Sequence, residues 1–260
     1  MAGLTHPRHW HLTTIRVLSV VAFFVVWELV ARIGAINPFL LPRPSLIFDQ
    51  LQFEFTSGDL IREVQGTLLR MFAGYSIAIV IGVPFGVLLA RVWPVRWFFD
   101  PLLSIALPMP QIAFLPIFIL WLGVGDQSKI ALIVFTSLFP IVVQTWAGTD
   151  SIDKYLVWSA QSLGVSRRAL LWQIVLPAAM PQILSGLQIA LPIALLSTIV
   201  TEMLMGGTGV GGSIINGMRV SDSPELFSGI VTVGVLGFAL TKGMDYLRRR
   251  LMLWHQESQA

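Results

Sequence analysis

Six runs of apolar residues, near 16–35, 67–90, 101–122, 130–148, 183–205 and 226–246, divide this sequence. Each approaches the roughly 20 residues that an α-helix needs to cross a hydrocarbon core. None alternates apolar and polar positions in ten-residue segments, so the runs predict helices and exclude a membrane β-barrel. The expected fold class is an all-α polytopic membrane protein with six transmembrane helices. The first run carries Glu28 near its outer end, with the small residues Ala31 and Ala35 following, a pattern shared with signal peptides. An uncleaved span is expected instead, because removal would leave five helices and put the chain ends on opposite sides.

Lys and Arg placement orients the spans. With the N-terminus inside, eleven basic residues fall on cytoplasmic segments, among them Arg91, Arg96, Lys154, Arg167, Arg168, Lys242 and the Arg248, Arg249, Arg250 cluster; six fall outside, namely Arg32, Arg43, Arg62, Arg70, Lys129 and Arg219. Both termini are therefore expected in the cytoplasm, with tails over 1–15 and 249–260. The apolar body covers 16–248, and its hydrophilic loop 149–182 is expected in the cytoplasm.

Prolines and glycines mark where the helices bend or approach each other. Gly82 and Gly86 form a GxxxG pair on one face, which permits close backbone contact. Pro108, Pro110 and Pro116 crowd the third run, and Pro192 lies in the fifth. Such breaks are tolerated where they line a cavity or pack against protein. Between the first two runs, Pro44-Ser45 opens an amphipathic helix with apolar positions Leu46, Ile47, Leu51 and Phe55, expected on the outer surface.

Composition agrees with the pattern and removes several kinds of chemistry. Of 260 residues 55% are hydrophobic and 12% charged, where soluble domains carry about a quarter charged; the mean hydropathy is +0.77. There is no cysteine, which excludes disulfides, thiolate catalysis and cysteine metal sites. The histidines His6, His9, His11 and His255 lie at the termini, and HxxHxH there is read as tail, so no metal site is expected. The net charge of +3 is spread over dispersed residues and does not point to nucleic acid.

The loop 149–182 is the one place where this chain presents a handle to something soluble. Asp150 or Ser151 is the expected cap of a short helix, with Asp153 in its first turn where a carboxylate suits the dipole. Ile152, Tyr155, Leu156, Ala160 and Leu163 then share a face at helical spacing, and Gly164 ends the helix. Ser166 caps a second helix, expected to stop before Pro177. Arg167 and Arg168 occupy its first turn, where the dipole disfavours each by a few tenths to about 1 kcal/mol. Either an acidic partner surface or anionic lipid headgroups would offset that cost.

The spacing Ala160-x-x-x-Gly164-x(9)-Ile174-x-Leu176-Pro177 resembles the EAA loop of ABC importer permeases, and the register continues through Pro181, Gly186-Leu187 and Glu202. Upstream, residues 116–123 (PIFILWLG), then Gly125, Ser128-Lys129-Ile130 and Phe139-Pro140-Ile141, resemble the nitrate/sulfonate/taurine/bicarbonate-type permeases. The likeness covers roughly 38–250. It departs at Trp158 and Ser159, where the loop's glutamate and first alanine would stand. The resemblance implies a type I ABC importer permease in a bacterial inner membrane, a homodimer bound to two cytoplasmic ATP-binding subunits that hold ATP and Mg. An external, periplasmic solute-binding protein would deliver a small anionic or zwitterionic cargo. Trp158, Ala160, Gly164, Arg167, Arg168, Ile174, Leu176 and Pro177 would form the ATPase-coupling loop.

The chain itself carries no GxxxxGK[ST] loop and is not expected to be the ATPase or any enzyme. Residues 207–212 (GTGVGG) satisfy GxGxxG, but after a membrane span rather than a strand, so they are read as a tight turn or re-entry between spans five and six. Ser197, Thr201 and Glu202 are the candidate translocation path or gate; Glu202 is open to contacting cargo, gating the outer mouth or bonding a neighbouring helix. Glu28, Arg70, Lys242 and Asp245 are expected at span ends, reaching to the interface. A stand-alone secondary transporter or channel is the alternative, and it would show inverted repeats with interrupted midplane helices. A membrane enzyme would need a His, Asp and Glu cluster near one interface.

Overall fold

The computed structural model describes residues 9–34 and 36–252. Of the expected tails, 1–8 and 253–260, with His6 and His255, lie outside the described residues. Helix α1 (His9–Ile33) already includes the last residues assigned to the N-terminal tail. The fold is all-helical, with no strand among the described residues. Two compact units divide the described residues, one within 9–61 together with 213–231, the other of 62–212 together with 232–252.

In the first unit, α1 is followed by α2 (Pro44–Ser57), the surface helix expected from the sequence. Arg43 precedes it and proline opens its first turn, where the missing N–H costs nothing. Of its apolar positions Ile47 is buried, whereas Leu46 and Phe55 stay exposed. Glu28 ties α1 to α2 by accepting from the backbone N–H of Ser45 at 3.1 Å and from its hydroxyl at 3.0 Å. Trp27 Nε1 donates to the Pro42 carbonyl at 3.1 Å.

The second unit is built on α3 (Asp59–Arg91), α6 (Asp126–Asp150) and α9 (Leu176–Met205). Helices α6 and α9 share the most extensive helix–helix contact among the described elements. Helix α3 lies against α6 along a glycine seam. A methyl group on Gly82 would sit 2.9 Å from Ile141 Cγ2, and one on Gly86 would sit 2.6 Å from Thr145 Cβ. The close approach expected of this GxxxG pair is thus present, and there is no room for a side chain. Gly86→Leu is expected to destabilise the chain by about 1–3 kcal/mol through overpacking, read as a lowered unfolding midpoint in detergent.

The third apolar run departs from a single span over 101–122. Helix α4 (Trp93–Ala106) and the segment holding α5 (Leu115–Leu122) meet at 100° across a break at 107–110. Pro108 and Pro110 lack the N–H that would continue the helical ladder, so the helix ends although Leu107 still has α-helical dihedrals. Elsewhere the helices pass through their prolines, Pro84 in α3, Pro140 in α6, and Pro181 and Pro192 in α9. Four described helical runs are long and apolar enough to cross a membrane, 59–91, 126–150, 167–205 and 223–251, or five with the bent pair counted as one.

Two further elements differ from expectation. Helix α11 (Ser223–Leu251) contains the sixth apolar run, and it is preceded by α10 (Val210–Val220), a helix where a tight turn or re-entry was expected. The glycines of 211–212 lower helix propensity, yet Val210 and Ile214 are buried, so packing overrides it. Within the second unit, Arg248 of α11 donates to Gln188 Oε1 at 2.8 Å and Gln188 donates to Asp245 at 2.7 Å. Asp245 thus has a partner on α9 as well as a place near a helix end.

Candidate functional site

The hydrophilic loop forms a small module with its own core. Helix α7 (Lys154–Ser162) is capped by Asp153, whose carboxylate accepts from the backbone N–H of Tyr155 at 2.8 Å. The expected caps Asp150 and Ser151 are not used, because α6 runs on through Asp150. This shifts the helix frame and splits the predicted apolar face. Ala160 is buried with Leu170 and Val175, packed by Ile152, Val157, Val165, Leu171 and Ile174, while Tyr155, Leu156 and Leu163 point to the surface.

Gly164 terminates α7 as expected. Its φ of +81° lies in the left-handed region, and the Val165 N–H reaches back to the Ala160 carbonyl at 3.1 Å, the long bond of a Schellman turn. Ser166 then caps α8 (Arg167–Leu170), accepting from the Ala169 N–H at 3.3 Å. The second helix does not stop before Pro177. It continues through a π turn, Leu171–Val175, where the Leu176 N–H bonds to the Leu171 carbonyl, and joins α9 as one helical run from 167 to 205. The wider turn ahead of Pro177 accommodates the ring and its absent donor.

The eight candidate coupling residues thus divide by position. Ala160 is buried, Ile174 and Leu176 are half-buried, and Trp158, Gly164, Arg167, Arg168 and Pro177 are exposed. The exposed surface of the module is aromatic and apolar, with Leu163 85%, Tyr155 73%, Trp172 65% and Trp158 56% accessible. Tyr155 and Trp158 meet edge to face at 5.6 Å between ring centroids. Arg167 and Arg168 open a 39-residue helical run, the position where the dipole gives them least support.

At the opposite ends of α6 and α9 lies a second polar constellation. Glu202 is fully buried. Its carboxylate accepts from Arg70 Nη1 at 2.8 Å, Thr67 Oγ1 at 2.9 Å and the Gly211 N–H at 3.1 Å. Arg70, expected at an interface, is buried instead. Its Nε donates to Asp126 at 2.7 Å and its other nitrogens to the Thr208 carbonyl and hydroxyl at 2.9 and 2.8 Å. Burial of this guanidinium is offset by the carboxylates of Glu202 and Asp126 and the carbonyl of the turn, all within hydrogen-bond reach.

The GxGxxG stretch is the wall of this site. Gly206, Gly207 and Gly209 all have positive φ, and a methyl group on Gly209 would collide with the Glu202 carboxylate. Of the stretch 207–212, expected to form a tight turn or re-entry, 207–209 lie in a turn that follows Met205 and the rest begins α10; the turn cradles the protein's own carboxylate where a phosphate-binding loop would cradle a ligand. Lys129 Nζ donates to the Gly206 carbonyl at 2.9 Å, fixing the turn from α6. Of the three candidate path residues, Thr201 and Glu202 are enclosed in protein. Ser197 lines a cavity and donates to Thr136 Oγ1 at 2.9 Å.

Four or five apolar helical runs long enough to cross a membrane thus carry a hydrophilic two-helix module with its own core. Residues 82–252 match the family described as binding-protein-dependent transport system inner membrane component, and the chain belongs to it. The taurine transport system permease protein of Escherichia coli (strain K12) is 30% identical over 95% of this chain and 91% of its own length. The putative aliphatic sulfonates transport permease protein of Bacillus subtilis (strain 168) is 29% identical over 88% of this chain and 83% of its own. Among solved structures, an inward facing methionine ABC transporter aligns with a TM-score of 0.67 at 19% identity, covering 76% of this chain and 98% of that one. A bacterial ABC transporter involved in import of the polysaccharide alginate gives 0.62 at 16% identity, over 93% and 96%. The fold is that of type I ABC importer permeases, and the chain is a permease component of such a system.

Proposed function

We propose that this chain is the membrane-spanning subunit of an ATP-driven importer that translocates a small sulfonate, of the taurine or alkanesulfonate kind, handed over by an external binding protein. Two copies would pair in an inner membrane, each crossing six times with α1 as the first span and both termini in the cytoplasm. Two cytoplasmic subunits would bind ATP and Mg; this chain would hold neither.

The observation that carries the reading is the 151–175 module. It has its own core, an exposed aromatic surface beside Arg167 and Arg168, and an unbroken helical connection into α9. A push on that surface by an ATPase would reach the membrane span through one rigid element. In this reading the eight loop residues work in two groups: Ala160, Ile174 and Leu176 hold the module together, while Trp158, Arg167 and Arg168 meet the ATPase. Gly164 sets the turn between its helices, and Pro177 marks the junction with the span. Ser197 belongs to the translocation path, and Thr201 and Glu202 support it without touching cargo.

The test is copurification of the tagged chain with candidate ATPases, followed by uptake into proteoliposomes. The expected result is association that Gly164→Val abolishes, because a β-branched residue is costly at that φ, and solute uptake only with ATP and binding protein. Uptake by the purified chain alone, without ATP, would overturn the reading in favour of a secondary transporter.

A further inference from the structure

The cavity beside Ser197 has a volume of about 450 Å³, toward the small end of ligand sites at roughly 300–1,000 Å³. Faces of α6 and α9 form two sides of it, and the bend between α4 and α5 forms the third. Its wall is mostly apolar, with Phe139 and Ile193 among the lining residues, and carries four polar side chains, Gln111, Thr136, Gln144 and Ser197. No charged side chain lines it among the described residues.

The polar groups are unequally occupied. Ser197 donates to Thr136 Oγ1 at 2.9 Å, and Thr136 in turn donates to the Ile133 carbonyl at 3.1 Å. Both protons are therefore used, and the Ser197 oxygen is left with acceptor capacity. Gln111 and Gln144 are half-buried, and neither side-chain amide has a hydrogen-bond partner among the described residues. Two unspent amides in a largely apolar wall are costly unless water or a solute takes their bonds. A net charge would find no counter-charge here, whereas a molecule with balanced charges would meet donors for its anionic end and an acceptor for its cationic end.

We propose that this cavity is a transit site for a small zwitterion, its anionic group accepting from the Gln111 and Gln144 amides and its ammonium group donating to Ser197 Oγ. The proposal rests on the permease reading and names the substrate class of that path: net-neutral aminosulfonates over simple sulfonate anions. Affinity is modest by construction, since uncharged side chains hold both ends of the solute and no ion pair detains it.

The experiment is equilibrium dialysis of the full-length chain in lipid nanodiscs against labelled taurine, a zwitterion, and ethanesulfonate, an anion. Taurine is expected to bind at least about tenfold more tightly than ethanesulfonate. Gln111→Leu combined with Gln144→Leu is expected to weaken taurine by at least about tenfold, consistent with the loss of two hydrogen bonds to a charged group. Val143→Lys places a cation in the same wall and is expected to reverse the preference. Variants are compared only when their unfolding midpoints match the parent. Equal affinity for both solutes, no binding of either, or taurine binding indifferent to the paired Gln replacement would overturn the site. ATPase copurification, scored on the same preparations, separates the two readings. A chain that assembles but ignores Gln111 and Gln144 loses the site and keeps the permease assignment, and a chain that binds taurine through them without assembling does the reverse.

Discussion

Arg70→Met is expected to destabilise the chain by about 3–5 kcal/mol, the cost of leaving one member of a buried ion pair without its partner. Glu202 would keep Thr67 and Gly211 as donors but lose the guanidinium at 2.8 Å, with no solvent to replace it. Asp126 would lose less, since its side chain is 61% exposed and water can take over. The measurement is the unfolding midpoint of the purified chain in detergent. Arg70→Met combined with Glu202→Met removes both charges and is expected to recover most of the loss, because apolar replacements of similar size often match a buried pair. A double variant as unstable as the single one would show that the charges are not what matters.

The same substitution should have a local signature. Arg70 joins α3 to the start of α6 through Asp126, to the end of α9 through Glu202, and to the glycine turn through Thr208. In Arg70→Met, amide hydrogen exchange should rise over 206–212 while the 151–175 module keeps its protection. Module and cluster lie at opposite ends of α6 and α9, and each has its own contacts.

What was legible in the sequence was local. Gly164 and Ser166 act within a few residues of themselves, so their turn and cap followed from residue type alone. The GxxxG approach at Gly82 and Gly86 was legible for the same reason. Apolar runs placed the helices but not their ends: α3 begins at Asp59, eight residues before the apolar run, because a polar helical turn costs little outside the hydrocarbon. The bend at 107–110 was signalled by Pro108 and Pro110, yet proline within an apolar run is equally compatible with the unbroken helices found at Pro84 and Pro140. The Arg70–Glu202 pair was not legible, because its members stand 132 residues apart and nothing in either neighbourhood names the other. A signal did exist: an arginine inside an apolar run, a glutamate inside another, and a glycine run directly after the second. By themselves the glycines indicate a turn or re-entry, and their second duty, letting the Gly211 N–H reach a carboxylate, appears only when the carboxylate is in place.

Trp158→Ala is expected to weaken ATPase association about 30-fold, on the order of 2 kcal/mol, the loss typical of a central aromatic anchor. Trp158 stands where the resembled loop carries glutamate. A carboxylate in that place would draw on charge, and its contribution would fall as salt rises. An indole held edge to face by Tyr155 and bordered by exposed Leu156 draws instead on apolar burial, which salt does not screen. The two contributions to docking can therefore be separated. Affinity of the parent chain should decline from low to high salt because of Arg167 and Arg168, and Arg167→Ala with Arg168→Ala should remove that decline. Trp158→Ala should lower affinity by the same factor at both salt concentrations. Trp158→Glu should bind more weakly than the parent and acquire a salt dependence of its own. The module's folding serves as the internal control, since its core of Ala160, Leu170 and Val175 does not include Trp158. Unchanged affinity in Trp158→Ala, with the module intact, would mean that the ATPase grips the loop elsewhere and that the aromatic surface faces lipid.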